Sequence, residues 1–178
     1  MKILLTGGAG YIGSHVVLSL LDQNHQVTII DDFSTGHKGL IPKNVKYYEC
    51  NINNKEKVTK IIKSNTFDLL MHFAGFIKVE ESILEPEKYF ENNTKNAIIL
   101  FNTCLENGLN NIIFSSTAAA YGNQSKDKLI SEEENLKPLN PYGESKIKTE
   151  NFLLENKGKF IRWNCINVLI FKGITNAN

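Results

Sequence analysis

A doubly wound parallel α/β sheet, forming a single domain over residues 1–178, is the fold class this sequence predicts. Three observations predict it. Apolar strand-like runs alternate with amphipathic helix-like runs along the chain, a glycine cluster follows the first run directly, and an acid ends the second. Alternation of this kind, with right-handed crossovers, builds a parallel sheet covered by helices on both faces.

The elements follow in order. Residues 2–6 (Lys-Ile-Leu-Leu-Thr) read as a first strand and Ile12 to Leu21 as a helix, with Val27–Asp31 as the second strand. Val45–Tyr48 is expected as a third, followed by a helix near Lys55–Ser64 carrying Val58, Ile61 and Ile62 on one face. Phe67–Phe73 is almost continuously apolar, as a strand covered on both faces should be. Pro86 opens a long helix expected near Glu87–Asn107, with Phe90, Ala97, Ile98, Phe101 and Leu105 at helical spacing. Asn111–Ser115 is a fifth strand, and the polar stretch Gly122–Asn140 a surface loop. A helix over Tyr142–Glu155 is entered through Pro141, and Asn167–Phe171 is expected as a sixth strand.

The opening carries the first functional signal. Gly7, Gly10 and Gly13 stand between strand and helix in a G-x-x-G-x-x-G spacing. In that setting Gly7 allows a tight turn, Gly10 lets backbone approach a pyrophosphate, and Gly13 lets helix pack on strand. The new helix offers unpaired N–H groups and its positive dipole end to the phosphates. Asp31 and Asp32 then close the second strand, where an adenosine ribose lies in a Rossmann-type domain. A carboxylate there accepts from the ribose hydroxyls and repels a 2′-phosphate, by about 4 kcal/mol at contact, so NAD is expected over NADP. Asp31 is assigned to the ribose; the other acid caps the turn leading into Phe33.

Composition narrows the alternatives. With 178 residues and 42% hydrophobic content the chain can bury one good core. Its net charge is +1, and Arg162 is its single arginine, a pattern that fits neither a nucleic-acid nor a membrane partner. Cys50, Cys104 and Cys165 are widely spaced, without metal-ligand pairing, and read as reduced cytoplasmic thiols. Glycines interrupt the first apolar stretch too early for a signal peptide. No run approaches the roughly 20 apolar residues that a membrane span needs.

Tyr142 and Lys146 carry the chemistry. Four residues apart on a helix, they share one face at about 5–6 Å. A free phenol, with a pKa near 10, is a poor base at neutral pH. An adjacent ammonium, together with a positive nicotinamide ring, favours the phenolate. Tyr142 could then take a hydroxyl proton while hydride leaves the same carbon. The fifth strand delivers Ser115, Ser116 and Thr117 to the same crevice, with Thr117 hydrogen-bonding that hydroxyl.

These residues, together with residues 6–15 (TGGAGYIGSH), 72–75 (HFAG), Asn92-Asn93, 114–122 (FSSTAAAYG) and 141–146 (PYGESK), resemble the extended short-chain dehydrogenases. Within them the chain is most similar to the UDP-glucose 4-epimerase group, from residue 1 to about residue 155. The resemblance implies tightly held NAD, oxidation of a UDP-hexose at C4, rotation of the 4-keto sugar and return of hydride to its other face. It implies Tyr142 as base, Lys146 as its electrostatic partner and ribose ligand, and Thr117 as hydroxyl partner. Tyr11, Ile12, Asp31, Phe73, Ala74, Gly75 and Asn92 would line the cofactor, with Asp32, Phe33, Asn51 and Ile52 beside them.

Departures from the pattern carry their own expectations. Asn51-Ile52 stands where the family commonly has Asp-Ile, and the Asn51 amide oxygen is expected to accept from the adenine amine. Ala118-Ala119 replaces the acid pair of the related dehydratases and cannot transfer a proton. Residues 157–178 no longer match, so a C-terminal substrate domain is expected to be absent and the grip on UDP-hexose weak. Self-association as a homodimer is an expectation of the face so exposed.

Overall fold

The computed structural model describes residues 1–123 and 130–160, and the backbone of Arg162–Val168. Six parallel strands form its sheet: β1 (Lys2–Thr6), β2 (Gln26–Asp31), β3 (Lys46–Glu49), β4 (Leu69–His72), β5 (Asn111–Thr117) and β6 (Arg162–Val168). Their order is β3-β2-β1-β4-β5-β6, and every neighbouring pair runs parallel. Crossovers therefore depart in opposite directions on either side of the β1–β4 boundary, which opens a crevice at the carboxyl ends of those two strands.

Strand alternation divides the core in two. Ile3, Leu5, Val27 and Ile29 point to one face and meet Val17 of α1 (Tyr11–Asp22). Leu4, Ile30, Leu70, Ile112 and Phe114 point to the other. There they meet Val58, Ile61 and Ile62 of α2 (Lys55–Lys63), Leu100 and Phe101 of α5 (Asn96–Glu106), and Leu153 of α6 (Pro141–Glu155). Period-two strands thus read apolar throughout, because both faces are covered. Caps set the helix starts: Asn54 Oδ1 accepts from Lys57 N–H at 3.0 Å, and Asn140 Oδ1 from Gly143 N–H at 2.8 Å, with Pro141 in the first turn. Among the described residues no helix is long and apolar enough to cross a membrane.

Several expected boundaries move. The fourth strand is shorter than Phe67–Phe73, and the fifth runs on to Thr117. A short helix, α3 (Val79–Leu84), precedes Pro86. The single long helix expected over 87–107 is instead α4 (Pro86–Tyr89), a π-helical turn over Phe90–Lys95, and α5. Tertiary hydrogen bonds account for the break. Thr149 Oγ1 donates to the Asn93 carbonyl at 2.9 Å, and Thr94 Oγ1 to the Ser145 carbonyl at 2.8 Å, drawing this turn onto α6 and out of the regular ladder. The sixth strand starts five residues before the expected Asn167, where pairing with β5 sets Asn111 opposite Arg162; residues 169–171 lie outside the described residues.

His72 ends β4 as a wholly buried, neutral side chain. Its Nδ1 lies 2.6 Å from Thr6 Oγ1, and its ring stacks on Phe114 with Phe101 edge-on. Burial, with a smaller contribution from the Lys146 charge, pushes its pKa down to about 3. The unfolded chain, with an ordinary imidazole near 6.5, binds a proton that the fold refuses, so stability falls as pH drops from about 6.5 toward 3. Urea unfolding at pH 7, 5.5 and 4.5 should show it as a loss approaching about 1.4 kcal/mol per pH unit. His72→Gln should remove that part of the slope. An unchanged slope would show that His72 ionises in the fold with an ordinary pKa.

Candidate active site

The turn from β1 into α1 is built by close backbone contact. Gly7 has φ +75° and donates its N–H to the Ile30 carbonyl at 3.0 Å; a Cβ there would lie 2.5 Å from the Ala74 nitrogen. At Gly13 a Cβ would sit 2.0 Å from the Gly7 oxygen, which only glycine permits. Gly10 differs: its Cβ position meets only the Gly7 oxygen, at 3.3 Å, and is otherwise open toward the crevice. Gly10 is the N-cap of the twelve-residue α1, which has neither a side-chain cap nor an acid in its first turn. The positive end of that helix thus faces open space, as a bound pyrophosphate requires.

A cleft runs from this loop across the ends of β2, β3 and β4. Of the residues singled out from the sequence, its wall holds Gly7, Gly10, Asp31, Asp32, Asn51, Ile52, Phe73, Ala74, Gly75 and Asn92. Ile30, Ser34, Thr35, Gly36, Cys50 and Phe76 complete it and were not assigned to the site from the sequence. Gly13 packs behind the loop. Ile12 is half-buried and outside the wall, and Tyr11 is 69% exposed with its ring edge against His15. Phe33, in a left-handed conformation at φ 58°, lies under Lys38 and against Tyr47, also outside the wall.

The two acids are anchored differently. Asp31 Oδ2 accepts from Ala9 N–H and Oδ1 from Phe33 N–H, each at 2.9 Å, so this buried carboxylate ties the glycine loop to the end of β2. Asp32 caps its turn as expected, accepting from Ser34 N–H and hydroxyl at 3.0 and 2.6 Å. The Asn51 amide oxygen, expected to accept from adenine, accepts from Asn53 N–H at 3.1 Å. A dinucleotide fits this donor and acceptor set: amides for phosphate, carboxylates for a ribose, apolar Ile52 and Phe73 for rings. Among the described residues no group of His, Cys, Asp and Glu could hold a metal ion.

At the other end of the crevice, α6 brings Tyr142 beside Thr117 at the tip of β5, whose hydroxyl also accepts from Ala119 N–H at 3.2 Å. Lys146 is buried; its Nζ donates to the Ser115 carbonyl at 3.0 Å, lies 4.9 Å from the centre of the Phe114 ring, and faces the cleft wall at Gly75. The phenol differs from the sequence expectation. Burial pushes the Tyr142 pKa above its ordinary value, and the Thr117 hydroxyl pulls it partly back. Glu150, one turn beyond Lys146, is also pushed up by burial and drawn down by the Ser116 hydroxyl and the Lys146 charge.

Asn93 joins these parts and was passed over in favour of Asn92. Its side chain, 1% exposed, accepts from Phe76 N–H at 2.8 Å and donates to the Phe76 carbonyl at 2.9 Å and to Ser145 Oγ at 3.2 Å. The only sequence signal was a polar pair at a position where an uninterrupted helix would bury carbon.

Comparison with known proteins places this geometry. The model of the NAD dependent epimerase/dehydratase family matches residues 3–174. A UDP-glucose 4-epimerase of Azospirillum brasilense is 43% identical over 152 residues, which are 85% of this chain and 43% of that protein. A probable UDP-arabinose 4-epimerase of Oryza sativa subsp. japonica is 38% identical over 88% of this chain and 41% of its own length. The crystal structure of the Thermus thermophilus UDP-glucose 4-epimerase in complex with NAD superposes with a TM-score of 0.89 at 30% identity, covering 94% of this chain and 54% of that one. The chain thus spans less than half the length of the curated relatives it matches here.

The glycine positions separate binding from folding. Gly10→Leu should leave the thermal midpoint near that of the unaltered chain yet abolish NAD binding, because its side chain enters open cleft. Gly13→Ala should destabilise by about 3 kcal/mol, the upper range for overpacking. Melting curves and NAD titration of both variants check this; NAD binding by Gly10→Leu would move the pyrophosphate elsewhere.

Proposed function

The chain belongs to the NAD dependent epimerase/dehydratase family, and from that premise we propose that it holds NAD and acts on a UDP-hexose at C4, interconverting UDP-glucose and UDP-galactose. The observation that carries the proposal is the placing of Tyr142 beside Thr117, whose hydroxyl draws the phenol's pKa down, with the buried Lys146 on the same helix facing the dinucleotide cleft at Gly75. NAD, when bound, supplies acceptance and return of hydride at the sugar carbon. Tyr142 takes the C4 hydroxyl proton and gives it back; Thr117 orients the hydroxyl; Lys146 holds the nicotinamide ribose and stabilises the phenolate. Asp31 faces the adenosine ribose, with Phe73, Ala74, Gly75 and Asn92 along the middle of the cofactor.

Burial raises the Tyr142 pKa, so its base form must be favoured by positive charge on both sides, each pKa unit of depression being worth about 1.36 kcal/mol. Ala118 and Ala119 follow Thr117 in a tight turn and offer no acid. Elimination of water would need one, which favours epimerisation over dehydration. The buried thiols Cys50 and Cys104 fit a reducing, cytoplasmic setting. The sugar is read from the relatives, of which one is described as acting on UDP-arabinose, so both sugars belong in the assay.

Purified protein should carry or bind NAD and convert UDP-glucose to UDP-galactose. NAD binding without conversion of either sugar would favour the alternative reading, a dinucleotide-holding chain without a sufficient grip on substrate. Given turnover, Tyr142→Phe should keep NAD affinity and lose most activity, whereas Lys146→Ala should lose both. The base must be deprotonated to act, so turnover should rise with pH. Thr117→Val removes the hydroxyl that lowers the Tyr142 pKa and should move that rise to higher pH. A pH profile unmoved by Thr117→Val would separate the pair.

A further inference from the structure

We infer that Asn51 is a positioning residue for cofactor specificity: it fixes the Asp32 carboxylate at the adenosine end of the cleft. The Asn51 Nδ2 donates to Asp32 Oδ2 at 2.8 Å, while its Oδ1 accepts from Asn53 N–H at 3.1 Å. A carboxylate only accepts and a backbone N–H only donates, so these partners allow the amide a single orientation. The other Asp32 oxygen is held by the Ser34 N–H and hydroxyl. Three donors therefore immobilise an exposed carboxylate on the cleft wall, where Asn51 also lies.

Asp31 has no such exchangeable partner, since backbone N–H groups from two loops hold it. Asn51, on β3's C-terminal loop, thus supplies the hold on the second negative charge that comes from outside that acid's own turn. An aspartate at position 51 would set two carboxylates against each other and drive Asp32 out of its place. Reversing both residues would restore a donor facing an acceptor across the same gap. The ligand so recognised is a dinucleotide whose adenosine ribose bears two free hydroxyls; a 2′-phosphate would meet Asp31 and the immobilised Asp32 together.

The test is a reciprocal swap, and it rests on the NAD-binding part of the proposed function. NAD and NADP are titrated calorimetrically into the unaltered chain, Asn51→Asp, Asp32→Asn and the double variant, with thermal melting of each apo protein. Asn51→Asp should bind NAD about tenfold more weakly, the size of one lost charge-assisted hydrogen bond. Asp32→Asn should narrow the gap between NAD and NADP. The double variant should return to within about threefold of the unaltered NAD affinity. Unchanged NAD affinity in Asn51→Asp overturns the inference, as does a double variant no better than that single one, because Asn51 would then touch the adenine itself. Should Asn51→Asp not fold, a folded double variant still decides by the same threefold criterion. Absence of NAD affinity in the unaltered chain would sink this inference and the proposed cofactor together; normal NAD affinity without sugar turnover would sink only the epimerase reading.

Discussion

Helix α6 is held in place by a seam of buried polar bonds, and Tyr142 and Lys146 reach the crevice only where that seam places them. Asn93 binds the Phe76 backbone on one side and Ser145 on the other, while Thr149 takes the Asn93 carbonyl. One seam therefore joins the cofactor wall after β4, the turn before α5, and the helix carrying Tyr142 and Lys146. Apolar packing alone would let α6 slide along its axis, since hydrophobic contact is not directional. Buried hydrogen bonds remove that freedom, because each partner left unsatisfied costs about 1–3 kcal/mol. The Lys146 ammonium, donating to the Ser115 carbonyl, extends the same logic to the end of β5.

The sequence made some of this legible and withheld the rest for physical reasons. Gly7 and Gly13 could be read because their roles follow from backbone geometry alone: a left-handed φ in one case, a 2.0 Å approach in the other. The order of elements could be read because alternation of strand and helix leaves few topologies. The π-helical turn could not, since it depends on Thr149 and Ser145, some fifty residues away. Nor could the sixth strand be placed, because the longest apolar run at that end of the chain begins only where the paired segment stops. Within the site, spacing placed Tyr142 and Lys146 on one helix, yet it said nothing about burial, which dominates the Tyr142 pKa. Asn51 shows the same limit: its residue type suggested a hydrogen bond, but only neighbouring coordinates say with whom.

Charge is distributed so that the two ends of the crevice are opposites. Two carboxylates gather at the ends of β2, whereas the other end holds one buried ammonium against an aromatic ring. His72 stacks on the same Phe114 ring, and the fold keeps it neutral. A second cation there would meet the Lys146 charge, which already helps to hold the His72 pKa down.

The π-helical turn over Phe90–Lys95 has a consequence for how this chain can change length. An α-helix advances about 100° per residue, whereas the widened turn spends an extra residue on the same rotation, so the helical faces before and after it stay in phase. Loss of one residue from that turn would recover a smooth helix with Leu100, Phe101 and Cys104 still facing the core they fill, but it would withdraw the backbone from Thr149 and Ser145 of α6. Loss of a residue within α5 itself would instead turn those three side chains by about 100°. The wide turn is thus a store of one residue of slack, spent on reaching α6.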